Sequence, residues 1–294
     1  MAIRVRRKPR PTKSFVTMMG GAALVASLAA LGLCGSLLVA PSASASTGGL
    51  GGKSHGASTQ PVGIPGTWVL KQSDEFNAKS LNTAIWQAGW FGSGVTGPVN
   101  TNEVACYNSN NVTFPGDGTV HLNVTATPST CGGENRPDTG ALLSSNPDDG
   151  RASGGYQYTY GAMEARVYIP ASAAGEVANW PAVWEDGQNW PSTGELDVME
   201  GLSGQACFHF ISPSGDPGSC VAGTFTGWHT FASDWESGSV TYYYDGVDVG
   251  KITEGVTASP MYLVLDNTVT SYTGNQTTVP ATMRVDYIRV WQHS

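Results

Sequence analysis

The chain has 294 residues, and its 15 lysine and arginine residues stand against 23 aspartate and glutamate residues, which gives a formal net charge of −8 at pH 7. Nucleic acids and anionic membranes bind cationic surfaces, so this balance argues against both as partners and also disfavours a strongly acidic glycan. The length fits one large domain or two small ones.

Residues 1–45 have the pattern of a secretory signal peptide. Basic residues precede an apolar run from about Met18 to Val39, and an Ala-Ser-Ala sequence at 43–45 provides a small-residue cleavage site. A membrane anchor is the rival interpretation, because the run is nearly long enough to span a bilayer. We expect cleavage and secretion to the extracellular space. The mature chain would then have nine lysine and arginine residues against 23 acidic ones, a net charge of −14, and no membrane partner.

Two regions of different amino-acid composition follow the predicted signal peptide. Residues 46–63 are rich in glycine, serine and threonine, which predicts a flexible linker. From residue 64 to residue 294, short segments rich in valine, isoleucine, threonine and tyrosine alternate with clusters of turn residues, and amphipathic helical runs are nearly absent. We therefore expect one large all-β domain, a two-sheet sandwich. The clearest strand segments are Thr119–Ala126, Tyr156–Ile169, Cys207–Ser212, Ser239–Asp245 and Met283–Gln292.

A run of three tyrosines, Tyr242–Tyr244, followed by Asp245 and Gly246, predicts a strand that enters a hairpin. An Asp-Gly pair accepts the left-handed backbone angles that a two-residue hairpin turn needs. This segment therefore marks one of the tight turns of the predicted sandwich.

Four cysteines, Cys106, Cys131, Cys207 and Cys220, fall in the expected mature chain. An even number in an exported protein suggests two disulfides, for which three pairings exist. We predict the sequence-local pairing, Cys106–Cys131 and Cys207–Cys220, because it closes short loops. A zinc site is the alternative, but close Cys/His pairs with metal-ligand spacing are not evident.

The segment Trp180–Glu200 ends in three carboxylates, Glu195, Asp197 and Glu200, within six residues. Residues two apart on a strand share a face, so the first two acids point the same way, and the apolar residues between them point into a core. A regular strand would send Glu200 to the core face. One extra residue, a β-bulge near Val198–Met199, would return Glu200 to the carboxylate face.

Three acids on one sheet face suit a retaining glycosidase. Such an enzyme needs two carboxyl groups ~5–5.5 Å apart, one to attack the anomeric carbon and the other to protonate the leaving oxygen. Repulsion between neighbouring carboxylates keeps one of them protonated, and Asp197 could orient the nucleophile. The alternatives are an exposed acidic strand or a calcium site lined by carboxylates.

The motif ELDVME, preceded by WPAVW and WPSTG, closely resembles the signature of glycoside hydrolase family 16. The match is to the laminarinase-like branch with the bulged E-x-D-x-x-E pattern. The resemblance implies a curved β-jelly-roll sandwich whose concave face forms an open substrate cleft. Further segments carry it in the family's order: Trp68–Phe76, Leu81–Trp86, Tyr160–Arg166, Gly227–Phe231 and Arg284–Trp291.

The resemblance implies a secreted, retaining endo-β-glucanase that acts on β-1,3- or mixed β-1,3/1,4-glucan. Glu195 would be the nucleophile, Glu200 the acid/base and Asp197 the assistant, with no cofactor in the chemistry. The first alternative is the same mechanism on another β-linked glycan, such as galactan or xyloglucan, or transglycosylation. The second is a non-catalytic, lectin-like sandwich, which the repelling carboxylates disfavour. We expect a neutral polysaccharide as partner and a monomeric protein.

Candidate substrate contacts flank the acids. Tryptophan rings offer flat apolar faces for sugar stacking. Asn102 and Glu103 could bind sugar hydroxyls, and His209 either contacts sugar or is a buried, hydrogen-bonded histidine. The candidates are Trp180, Trp184, Trp190, His209, Asn102 and Glu103.

Three further expectations concern charged or polar residues elsewhere. Glu75 and Asp286 match positions where some members of the family hold a structural calcium, although surface charge explains them equally well. We interpret Glu185 and Asp186 as solvated loop residues, with contact to sugar hydroxyls as the alternative. A polar segment, residues 266–279, replaces an asparagine and glycine-rich loop of the relatives and is expected near the rim of the cleft.

Overall fold

The computed structural model describes residues 60–294, so the predicted signal peptide and residues 46–59 of the predicted linker lie outside the described residues. Among the described residues, no helix is long and apolar enough to span a bilayer. The last residues of the predicted linker contact the domain. The side-chain amide of Gln60 bonds to the backbone of Trp68, and the Val62 N–H donates to the carboxylate of Glu164 (2.8 Å). Residues 60–63 are therefore packed against the sandwich.

The regular secondary structure of the described residues is almost entirely β-strand, as the alternating apolar pattern predicts, with one short 3-10 helix at Ser109–Asn111. The first ten strands are β1 Trp68–Asp74, β2 Gln87–Ala88, β3 Val95–Thr96, β4 Cys106–Asn108, β5 Val112–Thr113, β6 Val120–Val124, β7 Ser129–Cys131, β8 Glu134–Arg136, β9 Thr139–Ser144 and β10 Gln157–Tyr158. The next ten are β11 Gly161–Ile169, β12 Trp180–Gly187, β13 Glu195–Leu202, β14 Gln205–Ile211, β15 Gly218–Val221, β16 Gly227–Glu236, β17 Ser239–Tyr244, β18 Val247–Ile252, β19 Met261–Thr268 and β20 Ala281–His293.

Two large sheets make up the fold. The eight-stranded sheet has the order β18-β17-β16-β11-β20-β6-β5, and β1 also pairs with β20. The ten-stranded sheet has the order β15-β14-β13-β12-β19-β9-β4-β3, with β10 on β19 and β2 on β9. Strands β7 and β8 form a separate hairpin. The predicted two-sheet sandwich is confirmed.

An apolar core separates the two sheets. Side chains alternate along each strand, so each sheet contributes one face to the core, and each fully buried large apolar side chain stabilises the fold by roughly 1.5–3 kcal/mol. The opposite face of the ten-stranded sheet points away from this core and can carry the side chains of a functional site. Representative core side chains are Leu196, Val198, Phe210 and Leu263 from the ten-stranded sheet, and Val167, Phe231, Trp235 and Val285 from the eight-stranded sheet.

Strand β13 contains the predicted bulge. Along β12, Trp184 pairs with Asp197, but its neighbour Val183 pairs with Met199, so Val198 is the extra residue. The pairing of β13 with β14 shifts at the same place. The side chains of Val198 and Met199 are both fully buried in the core.

Turn chemistry and disulfides also agree with the sequence. Asp245 (φ 49°) and Gly246 (φ 76°) have the left-handed backbone of a tight hairpin turn between β17 and β18. Disulfides join Cys106 to Cys131 and Cys207 to Cys220, the predicted pairing. The second disulfide ties directly paired residues of β14 and the edge strand β15.

The expectation that Glu185 and Asp186 are solvated loop residues is wrong. Both belong to β12 and are almost completely buried, with exposed fractions of 0% and 1%, because β12 stays paired with β13 and β19 through this point. The hydroxyl of Tyr158 donates to Glu185 (2.7 Å) within the core. Burial raises the pKa of Glu185 to about 8, against the lowering effect of that hydrogen bond.

The calcium site expected at Glu75 and Asp286 is not favoured by the structure. Arg289 donates to both carboxylate oxygens of Glu75 (2.8 and 2.6 Å), and Arg166 donates to Asp286 (2.7 Å). Each carboxylate therefore has a guanidinium where a cation would sit. These residues do not fit a bound calcium ion.

Glu185 should make stability depend on pH. Its folded pKa is raised, so the folded state holds a proton that the unfolded chain releases above about pH 4.5. Stability from this group is therefore full below that pH and falls by at most ~1.4 kcal/mol per pH unit up to about pH 8. We expect Glu185→Gln to leave the free energy of unfolding nearly unchanged near pH 4 and to increase it at pH 8. Urea unfolding at both pH values measures this, and an equal effect at both would contradict it.

Candidate active site

A cavity opens on the face of the ten-stranded sheet that points away from the core. The three predicted acids all line it, and each is nearly buried, with exposed fractions of 3% for Glu195, 3% for Asp197 and 4% for Glu200. Its lining residues are Val99, Asn100, Glu103, Trp180, Ala182, Trp184, Glu195, Asp197, Glu200 and Asp266.

Strand register explains why these side chains meet. On β12, alternate residues beginning with Trp180 face the cavity, and Ala182 pairs with both Glu200 on β13 and Asp266 on β19. Trp184 pairs with Asp197. The bulge changes the alternation of β13, so its third acid rejoins the face of the other two.

The carboxyl of Glu200 is held by two nitrogen atoms. The indole N–H of Trp180 donates to its Oε2 (2.9 Å), and Nδ1 of His209 lies 2.6 Å from its Oε1. His209 is itself buried, which favours the hydrogen-bonded histidine over the sugar contact that the sequence left open. The ring of Trp180 packs edge-on against Tyr272 (centroids 4.8 Å apart). These contacts fix the orientation of Glu200.

Asp266 is a fourth strand acid in the cavity, and the sequence argument missed it as a site residue. The indole N–H of Trp184 donates to its Oδ1 (2.7 Å), and the hydroxyl of Tyr107 donates to its Oδ2 (3.2 Å). Burial raises the pKa of Asp266 to about 7 against the lowering effect of these bonds, and the charges of Glu200 and Glu195 add to the rise. An acid in the apolar run MYLVLDN was the available signal for an unusual residue, but its pairing with Trp184 depends on strand neighbours that are distant in the chain.

The remaining candidates occupy three different settings. Glu103 lines the cavity, and its Oε2 accepts the Val99 N–H (2.6 Å). Asn102 is not among the residues that line the cavity, and its side-chain amide donates to the hydroxyl of Tyr272 (2.8 Å). Trp190 lies in the connection between β12 and β13 and is not one of the residues that line this cavity.

Ligand atoms of Asp197, Glu200 and His209 lie within 4.8 Å of one another, close enough for a metal ion. Calcium is a hard cation that takes oxygen ligands, and the third member of this group is a histidine. The group does not fit the calcium site that the sequence left as an alternative. The contact between His209 and Glu200 instead has the geometry of a strong hydrogen bond.

Comparisons with known proteins match the segment that carries the three acids. A family model described as "XgeA-like, catalytic GH16 domain" matches residues 165–210, which contain β12 and β13. Glucan endo-1,3-beta-glucosidase A1 of Niallia circulans is 27% identical over 280 residues, covering 81% of this chain and 40% of that protein. Keratan-sulfate endo-1,4-beta-galactosidase of Sphingobacterium multivorum is 23% identical over 168 residues, covering 48% and 39%. The chain thus matches about two fifths of the length of these two relatives.

The fold has solved counterparts. The catalytic domain of an endo-1,3-beta-glucanase (laminarinase) from Thermotoga petrophila RKU-1 superposes with a TM-score of 0.66 and 22% identity, covering 78% of this chain and 100% of that one. The jelly-roll sandwich predicted from the sequence is therefore confirmed.

The hydrogen bond between Trp184 and Asp266 provides a test of the site's electrostatics. Since the pKa of Asp266 is raised to about 7, ionisation there should change the charge on the acceptor of the Trp184 indole N–H. We expect the indole 1H–15N resonance of Trp184 to titrate with a midpoint near pH 7. Asp266→Asn is the matched control and should abolish the transition. A midpoint near pH 4 in the wild type would contradict the burial argument.

Proposed function

We propose that this chain, which belongs to glycoside hydrolase family 16, is a secreted endo-β-glucanase that cleaves β-1,3- or mixed β-1,3/1,4-glucan with retention of configuration. The family expected from the acid motif is confirmed by the family-model match and the endo-glucanase relative. The observation that carries the proposal is the convergence of Glu195, Asp197 and Glu200, each nearly buried, in one cavity.

Glu195 and Glu200 divide the chemistry between them. Glu195 attacks the anomeric carbon while Glu200 gives its proton to the departing glycosidic oxygen, which breaks the bond and forms a glycosyl ester on Glu195. Glu200 then takes a proton from water, and the resulting hydroxide equivalent cleaves the ester and releases the sugar and the Glu195 carboxylate. The cycle balances without an added cofactor.

The surroundings of Glu200 suit a residue that gives and retakes a proton. The 2.6 Å contact with His209 Nδ1 allows one proton to be shared between the two side chains, and the Trp180 indole fixes the other oxygen. Asp197 lies between the two catalytic acids along β13 and would orient the nucleophile. Positioned side chains of this kind are what a double displacement requires.

The charge of the cavity supports a neutral glycan. Five of its lining residues carry carboxyl groups, and the other five are uncharged. An anionic sugar would meet repulsion there at neutral pH, whereas the hydroxyls of a neutral sugar can donate to the carboxylates. The five acidic residues are Glu103, Glu195, Asp197, Glu200 and Asp266.

A neutral β-galactan is the second candidate substrate, because one relative of the chain is an endo-1,4-beta-galactosidase. The acidic lining disfavours a sulfated galactan for the reason given above. For either substrate we propose that the protein is exported by its residues 1–45 and acts as a monomer. The two disulfides support export, because such bonds persist in oxidising compartments.

The substrate proposal is tested with laminarin, lichenan, agarose and xyloglucan in a reducing-sugar assay. We expect release of reducing ends from laminarin or lichenan. Glu195→Gln should lower kcat by ~10⁴-fold or more while leaving the fold intact, and Asp197→Asn should lose less. Activity confined to agarose or xyloglucan would favour another β-glycan. Binding without hydrolysis by the wild type would favour a lectin, and near-normal activity of Glu195→Gln would refute the nucleophile.

Retention of configuration is tested separately. If Glu195 attacks directly, the two carboxyl groups are ~5–5.5 Å apart and the first product keeps the β configuration. Proton NMR during early turnover of a β-glucan should show the β-anomer before mutarotation. The α-anomer appearing first would require a water between the acids and would exclude double displacement.

A further inference from the structure

Two tyrosines of the eight-stranded sheet reach across the core to the strands that carry the site. Tyr244 on β17 has its hydroxyl 3.1 Å from the carbonyl oxygens of both Val198 and Cys207. The hydroxyl of Tyr242 donates to the carbonyl oxygen of His209 (2.8 Å). Both tyrosines are buried, so these hydroxyl groups stand in a largely apolar interior.

The three carbonyl groups belong to backbone positions that set the geometry of the site. Val198 is the extra residue of the bulge, and Cys207 is the strand partner of Glu200. His209 is the strand partner of Asp197, and its ring contacts Glu200. The tyrosine hydroxyls thus meet the backbone where the bulge displaces β13 against β14.

The ring of Tyr244 is itself held in place. It packs edge-on against Phe231 (centroids 4.8 Å apart) and Phe225 (5.2 Å). Burial raises the pKa of Tyr244 well above its ordinary value of 10, so the hydroxyl stays a donor throughout the range in which a protein of this kind works. The Tyr244 ring is therefore held in one position, and its hydroxyl remains available to donate to the carbonyl oxygens at the bulge.

We infer that Tyr244, assisted by Tyr242, is a positioning residue for the proposed hydrolysis: from the opposite sheet it holds the bulge of β13 in register. Removing the hydroxyl leaves buried carbonyl groups without that donor, which favours rearrangement of the bulge. A one-residue change of register would turn Glu200 toward the core, and even a shift of about 1 Å in a reacting group can cost ~10²-fold in rate. This inference rests on the proposed function.

The first experiment compares Tyr244→Phe with Tyr287→Phe. Tyr287 is also buried, and its hydroxyl donates to Glu164 (2.8 Å) on the eight-stranded sheet, away from the site. We expect Tyr244→Phe to lower kcat by about tenfold to ~10²-fold with KM changed by less than about twofold, because orientation is lost and binding surface is not. The control should lose stability and keep its kcat. Equal losses of kcat in both variants would overturn the inference.

A second measurement is independent of turnover. Long-range 1H–15N spectra report the ring nitrogens of His209, whose contact with Glu200 depends on the bulge. We expect these resonances to shift in Tyr244→Phe and in Tyr242→Phe, and to stay in place in Tyr287→Phe. If Tyr244→Phe does not fold, Tyr242→Phe carries the same kinetic and spectroscopic expectations.

The proposed function and the positioning role of Tyr244 can be refuted independently of each other. A wild-type protein without hydrolysis on any glycan would reject the proposed function, and the NMR comparison would then decide the positioning role alone. An active wild type, with kcat and His209 resonances unchanged in Tyr244→Phe, would overturn the positioning role and leave the proposed function standing.

Discussion

One extra residue in β13 determines the direction of Glu200. Without Val198 the strand would alternate regularly and place the third acid among apolar side chains, where an ionised carboxyl is very costly. With it, Val198 and Met199 both enter the core and Glu200 enters the cavity. The shape of β13 is therefore a compromise between core packing and the placement of charge.

Burying several carboxyl groups in one cavity requires donors, and the fold provides uncharged ones beside the ionisable His209 that contacts Glu200. Indole N–H groups bond to Glu200 and Asp266, and a backbone N–H bonds to Glu103. Donors of this type satisfy the oxygens without cancelling the charge. The carboxyls can then still exchange protons with a substrate, which a tight pair with arginine would oppose.

The sequence was most informative where the signal was local. The spacing of Glu195, Asp197 and Glu200 predicted their common face and the bulge, and the short loops between cysteines predicted both disulfides. Asp266 could not be placed in the same way, because its neighbours come from β12 and β4, far away in the chain. Glu185 was misjudged because acidic residues usually lie in solvent, and its partner, Tyr158, is brought near only by the packed sandwich.

The eight-stranded sheet depends on β20, the last strand, to join strands that come much earlier in the chain. Strand β20 is the last of the twenty strands among residues 60–294, yet it pairs with the first, β1, and also with β6 and β11. Pairings between such distant segments form slowly, because the chain between them must first be brought together. During synthesis β1, β6 and β11 cannot be joined in one sheet until β20 has been made, although β11 can already pair with β16 and the ten-stranded sheet does not need β20.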